Sequence, residues 1–200
     1  MNYQEMMEST LASFGEGKPR VLLHACCAPC ASWPLEALSS RLDLTVYYYN
    51  PNIMPPEEYE KRLGEFDKLR RYPFRLIAEA WDNEAFLAAV RGREGDREGG
   101  ARCSLCFRLR LGKTAEKAAA EGYDFFATTL TVSPHKNAEI INAIGAELAE
   151  KHGVSWLPSD FKKREGYKRS IELCRELGIY RQNYCGCRLA VSEGEPALTK

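Results

Sequence analysis

The sequence predicts an α/β protein: an open, mainly parallel five-stranded sheet with helices on both faces. Three observations carry this. Apolar, β-branched and aromatic runs alternate along the chain with segments of helical period. Such strand–helix alternation calls for parallel strands joined by helical crossovers. A cysteine-rich segment, Cys26 to Cys30, follows the first apolar run, where ligands gather at the carboxyl ends of strands in open sheets.

The elements read in order as follows. RVLLHAC is a buried strand and PLEALSSRL a helix. LTVYYYN is a second strand, ending at the turn signal Asn50-Pro51-Asn52. PPEEYEKRLGEFDKLRR is one helix entered through Pro55 and Pro56, with Glu57 and Glu58 favourable in its first turn. FRLIAEAW is a third strand, and DNEAFLAAVRG a helix capped by Asp82 or Asn83. The glycine-rich RGREGDREGGAR is a loop. CSLCFRLRLGKTAEKAAAEG is helical from about Ser104 and closed by Gly122. YDFFATTLTV is a fourth strand, and Ser133-Pro134 is expected to cap the helix running to Gly153, where Ile141, Ile144 and Leu148 recur at helical spacing. VSWLPSDF is a fifth strand, GYKRSIELCRELG a helix, and an irregular cysteine-containing tail begins near residue 179.

The 200 residues suit a single domain, 1–200. The opening residues lack an apolar signal-peptide core and no apolar run is long enough to span a bilayer, so a cytoplasmic protein with no membrane partner is expected. Lys+Arg 28 balance Asp+Glu 28, and only local clusters can speak for nucleic acid. Eight cysteines in a reducing compartment argue for metal or redox chemistry rather than structural disulfides.

Cys27–Cys30 and Cys103–Cys106 are two CxxC pairs, and residues three apart on a helical turn present both sulfurs on one face. Soft thiolates select zinc, Cu(I) or iron–sulfur clusters. A closed tetrahedral zinc site is the plain reading, but five thiols with an adjacent Cys26–Cys27 dipeptide exceed its needs. A thioredoxin-like site leaves Cys103 and Cys106 unexplained. Cys185-Gly186-Cys187 suits either a strained, easily reduced dithiol pair or two further metal ligands. Cys174, aligned with Ile171 and Leu177, reads as core.

Lys162, Lys163, Arg164, Lys168 and Arg169 fall within eight residues, with Tyr167 among them and Arg181 beyond. Basic groups beside aromatic rings match single-stranded or loop RNA, and a solvated helical face is the competing reading. Arg108, Arg110 and Lys113 make a second basic strip. Lone histidines, His24 among them, read as structural or exposed.

The blocks LLHACCAPCASW, NPNIMPPEEYEKR, CSLCFRLRL, TTLTVSPHKN, SDFKKREGYKRSIEL and IYRQNYCGC together resemble the QueH-type epoxyqueuosine reductases, from about Val21 to Leu189. The resemblance implies reduction of epoxyqueuosine to queuosine at the wobble position of a tRNA anticodon, with a tRNA carrying epoxyqueuosine as partner and an unidentified electron donor. It implies a fold similar to adenine-nucleotide α-hydrolases without their phosphate loop, whose place HACCAPC occupies. It also implies a 4Fe-4S cluster on Cys26, Cys27, Cys103 and Cys106, with Cys185 and Cys187 as the redox pair. Cys30 is left for an additional iron ion or for the cluster in place of one of the four. Asp160, Tyr184 and His24 are the candidate proton donors. The alternative is a zinc-stabilised RNA-binding module without catalysis; a nucleotide-dependent tRNA thiolase relative fits less well, because the glycine-rich phosphate loop is missing.

Overall fold

The computed structural model describes residues 2–15 and 17–190. Five strands, β1 (Arg20–His24), β2 (Asp43–Tyr48), β3 (Arg75–Ala78), β4 (Phe125–Thr128) and β5 (Ser155–Trp156), form one sheet in the order β3-β2-β1-β4-β5. Every pairing is parallel. The helices are α1 (Tyr3–Ala12), α2 (Ala28–Leu38), α3 (Pro56–Gly64), α4 (Asn83–Ala89), α5 (Ala101–Ala120), α6 (Ala138–His152) and α7 (Gly166–Glu176).

Alternation along β1 sorts the core into two layers. Val21 and Leu23 pack with residues of α1, α2 and α3, while Leu22 packs with α5 and α6. Helices therefore cover both faces, as the run of fully buried residues in β1 requires. The sheet order reverses direction at β1, leaving a crevice beyond the carboxyl ends of β1 and β4.

Several boundaries differ from the sequence reading for local reasons. The helix after β2 changes at Gly64 into a 3-10 turn, Glu65–Leu69. Helix α5 starts at Ala101, three residues early, because the Asp96 carboxylate accepts the Arg102 N–H at 3.1 Å. Asn137, rather than Ser133-Pro134, caps α6, its side chain accepting from the Glu139 and Ile140 N–H groups. Ser133 instead closes a small turn, accepting from His135 N–H. Strand β5 is only two residues long, matching the short register with Phe125 and Phe126 and stopping before Pro158. Helix α1 was not read from the sequence; it buries only Met7 and Leu11.

Candidate active site

The first strand delivers the cysteines. The Ala25 N–H donates to the Tyr47 carbonyl at 3.0 Å and the Asn50 side chain donates to the Ala25 carbonyl at 2.9 Å, pinning the chain as it leaves the sheet. Cys27 then takes the N-cap position of α2 in extended conformation, with a proline in the first turn. This turn gathers Cys26, Cys27 and Cys30, whose sulfurs all lie within 4.8 Å of one another. The Cys26 and Cys27 sulfurs are 3.7 Å apart. Hydrogen bonds from the Cys27 and Cys30 thiols hold Cys26 well below the ordinary thiol range, and Lys136 and Arg110 add to this. The same contact to Cys26 pushes Cys27 up to about 12.

Cys103 and Cys106 stand one turn apart at the start of α5. The Cys103 sulfur accepts the Gly99 N–H at 3.2 Å, and Cys106 is buried with Arg110 Nη1 3.9 Å from its sulfur. Burial pushes the Cys106 thiol up to about 12. Cys187 packs into the same small apolar cluster as Cys106, with Phe86 and Val90, while Cys185 lines the cavity described below. The charge of Cys185 bears on both Cys103 and Cys106. The thiols therefore fall into two neighbouring groups: Cys26, Cys27 and Cys30 at the end of β1, and the α5 pair with the Cys185–Cys187 loop. Among the described residues, the first is the group whose sulfurs lie close enough together to hold one metal ion.

The C-terminal segment is strapped across the crevice. Gln182 donates to the Cys27 sulfur at 3.0 Å, Met54 N–H donates to the Gly186 carbonyl at 3.0 Å, and Arg62 Nη1 donates to the Cys185 carbonyl at 3.2 Å. Gly186 is required here. Its φ is +96°, and a Cβ would stand 3.1 Å from Arg62 Nη1.

Sequence reading missed the cationic lining. Arg62, Arg102 and Arg110 are no more than 2% exposed, and each keeps a side-chain nitrogen without a partner. Among the described residues only Arg62 has a carboxylate, Glu58 at 2.6 Å; Arg102 is bonded to the carbonyls of Glu94 and Leu189, and Arg110 meets Cys106 and Asn50. Buried cations without counter-charge are costly, and their unpaired N–H groups fit an anionic group among the thiols. An all-sulfur donor set with such a surround fits a thiolate-bound metal group. Two i,i+4 spacings, Glu58–Arg62 and Cys106–Arg110, were the signals available in the sequence.

A cavity of about 380 Å³ opens beside the triad. Cys26, Cys30 and Cys185 line it together with Arg62, Arg110 and Lys136. Its size falls in the range that accepts a nucleoside-sized ligand. Tyr167 and Arg181 line it too, and the Arg181 guanidinium donates to the Tyr167 hydroxyl at 2.8 Å. Of the basic run, Lys163 makes no ion pair among the described residues, Arg164 reaches Glu8 only at 4.0 Å, and Lys168 pairs with Glu165 on the exposed surface. Lys162 lies 2.6 Å from Asp160 without hydrogen-bond alignment. Arg169 is engaged by Glu36, Glu172 and Glu176.

The three proton-donor candidates separate cleanly. His24 is fully buried between Thr128 and the Tyr49 carbonyl, outside the cavity lining, and burial lowers it to about 3. Asp160 is engaged by Lys162 and is also outside the lining. Tyr184 lines the cavity, its ring beneath the Arg62 guanidinium at 5.0 Å. Cys174 is buried in the core, as its helical alignment predicts. No helix among the described residues is long and apolar enough to cross a membrane.

Comparison with known proteins fits this geometry. A profile of the family described as epoxyqueuosine reductase QueH matches residues 21–193. A Streptococcus pyogenes protein named epoxyqueuosine reductase QueH is 41% identical over 196 residues, covering 94% of this chain and 77% of the relative. Namesakes from Staphylococcus aureus and Thermotoga maritima are 37% and 38% identical, over 96% and 86% of this chain and 85% and 91% of their own lengths. A thiol triad at a strand end, a cysteine loop strapped beside it and a match spanning nearly the whole sequence agree: the chain belongs to the QueH family of epoxyqueuosine reductases.

Proposed function

We propose that this protein reduces epoxyqueuosine to queuosine at the wobble position of a tRNA anticodon, as an oxidoreductase of queuosine biosynthesis. Membership of the family carries the reading. The thiol triad beside a nucleoside-sized cavity supports it from the structure.

The metal group we infer is a 4Fe-4S cluster on Cys26, Cys27, Cys103 and Cys106, with Cys30 binding an additional iron ion or replacing one of the four. Support comes from the all-thiol donor set and from three buried arginines with unpaired N–H groups around it. Such a group supplies single electrons and an iron able to polarise a C–O bond. The protein's own residues do the rest. Arg62 and Gly186 hold the Cys185–Cys187 loop beside the cavity, Cys185 facing it and Cys187 behind. We assign these two cysteines as the dithiol that stores an electron pair.

The anticodon loop would enter over Tyr167 and Arg181, whose ring and guanidinium offer stacking surfaces for a splayed base. Lys163, Arg164 and Lys168 would lie along its phosphates, with Lys162 and Arg169 braced by acids behind them.

Anaerobic purification tests the metal assignment. A brown protein with broad absorption near 400 nm, carrying stoichiometric iron and sulfide, is the expected result. A colourless protein with one zinc per chain would overturn it in favour of a zinc-stabilised RNA-binding module.

A further inference from the structure

We infer that Lys136 is the catalytic proton donor to the departing epoxide oxygen. The inference rests on the reductase reading above.

Lys136 sits in the turn between the 3-10 segment Leu130–Val132 and α6, its backbone N–H tied to the Ser133 carbonyl at 3.3 Å. Its side chain lines the cavity and is half-buried. It shares the cavity lining with Cys26, Cys30 and Cys185, and negative charge on those sulfurs would raise its hold on the proton, which an alkoxide still overcomes. Those cysteines belong to both the candidate metal site and the redox loop, so the ammonium shares a cavity with the groups that would reduce the substrate. Among the described residues Lys136 has no carboxylate partner, in contrast to Lys162, Lys168 and Arg169. A lysine withdrawn from ion pairing and turned into a cavity is available to a ligand.

Other cavity groups serve less well. Arg62 and Arg110 are charged, but a guanidinium does not give up its proton in a protein. Tyr184 is occupied by Arg62 and Glu58. His135 is exposed. Lys136 combines a transferable proton, no ion-pair partner among the described residues and a place in the cavity lining shared with Cys26, Cys30 and Cys185.

The reaction it would serve is balanced as epoxide plus dithiol giving alkene, disulfide and water. Both C–O bonds break and the C=C bond forms. The Cys185–Cys187 dithiol loses two electrons and two protons, and the epoxide carbons gain the two electrons. When the first C–O bond opens, the oxygen becomes an alkoxide, a far stronger base than an amine, and takes a proton from the Lys136 ammonium. The second proton completes water as the remaining C–O bond breaks. The protons released by the thiols, through cavity water, restore the ammonium.

The test uses the iron-reconstituted protein and tRNA carrying epoxyqueuosine, with single-turnover formation of queuosine as the kinetic readout. Iron content, visible absorption and tRNA affinity are measured on the same preparations. Lys136→Met and Lys136→Arg should both keep iron, spectrum and affinity. Both should lose about 10²-fold or more in single-turnover rate, the usual contribution of a positioned acid. Arginine preserves the charge and the hydrogen-bond donors, so a rate near wild type in Lys136→Arg would overturn proton donation and leave only an electrostatic role. Loss of iron from Lys136→Met would likewise overturn it, showing a counter-charge to the metal group. A wild-type protein that forms no queuosine would overturn the reductase reading, and the inference with it; that outcome is distinct from a loss confined to the variants.

Discussion

Replacing Arg110 by methionine should cost stability when metal is bound and change it little when metal is absent. Arg110 is fully buried and has no carboxylate among its recorded partners; its Nη2 donates to Asn50 at 2.5 Å and Nη1 lies 3.9 Å from the Cys106 sulfur. Without metal, Cys106 is a neutral thiol at pH 7, because burial holds it near 12. Removing an uncompensated buried charge then gains about 1–4 kcal/mol. Leaving the Asn50 carbonyl oxygen unpaired costs about 1–3 kcal/mol. The two nearly offset.

Metal binding turns Cys106 into a thiolate. Unit charges about 4 Å apart attract by about 4 kcal/mol at an effective dielectric near 20, and sharing the sulfur's charge with iron roughly halves this. The variant should therefore lose about 2 kcal/mol of metal-linked stabilisation, or about 4–8 °C of the rise in Tm on reconstitution. Paired thermal melts of metal-free and reconstituted protein, wild type against Arg110→Met, read this directly. An equal metal-induced rise in both proteins would refute the idea that Arg110 serves as counter-charge to the thiolate group.

The Arg169→Gln variant should lose about 1 kcal/mol, since it dismantles a partly buried network of three carboxylates. Glu36 is held below 4.5 chiefly by Arg169, so its share of stability is present above that pH and is lost as pH falls through the depressed folded value; the variant's melting curve should be flatter across that acid range, and an unchanged slope would argue against the pair. Gly166→Ala should destabilise by about 3 kcal/mol or more, because the new Cβ would lie 1.9 Å from the Phe161 carbonyl and 2.6 Å from Trp33 Nε1; a near-native Tm would contradict that crowding. The Cys185→Ser/Cys187→Ser double variant should keep iron and tRNA binding yet form no queuosine even in a single turnover, and loss of iron would reassign both residues as ligands.

What the sequence disclosed, and what it withheld, follows the range of the interactions concerned. Periodicity is local, so the five strands and the helices that interleave them were legible, down to the Asp82 cap of α4 and the Gly122 turn after α5. Helix α1 escaped because two buried residues four apart make a weak pattern. The misplaced start of α6 turned on whether Ser133 or Asn137 supplies the cap, a choice made by geometry over four residues. The triad was visible as adjacent cysteines. The cations around it were harder to see: Arg110 follows Cys106 by four residues on α5, but spacing alone does not turn that face inward, and nothing near Lys136 in the chain marks it as facing sulfur. Arg169 reads as one more base in a basic run, and its partner Glu36 lies 133 positions away.

The contact between Gln182 and the Cys27 sulfur joins residues 155 positions apart, and the strap that carries it closes the crevice last. At about 5–20 residues per second of synthesis, Cys27 waits about 10–30 s on the ribosome before Gln182 is even made. During that interval the first three thiols are exposed to oxidants and to whatever zinc the cell has free. Order of emergence thus sets a race between proper loading and capture by the wrong ligand, and a slower-translated message would lose it more often. Pulse-labelled nascent chains stalled before residue 182 should react readily with thiol-alkylating reagents at Cys26, Cys27 and Cys30, whereas full-length chains loaded with metal should be protected.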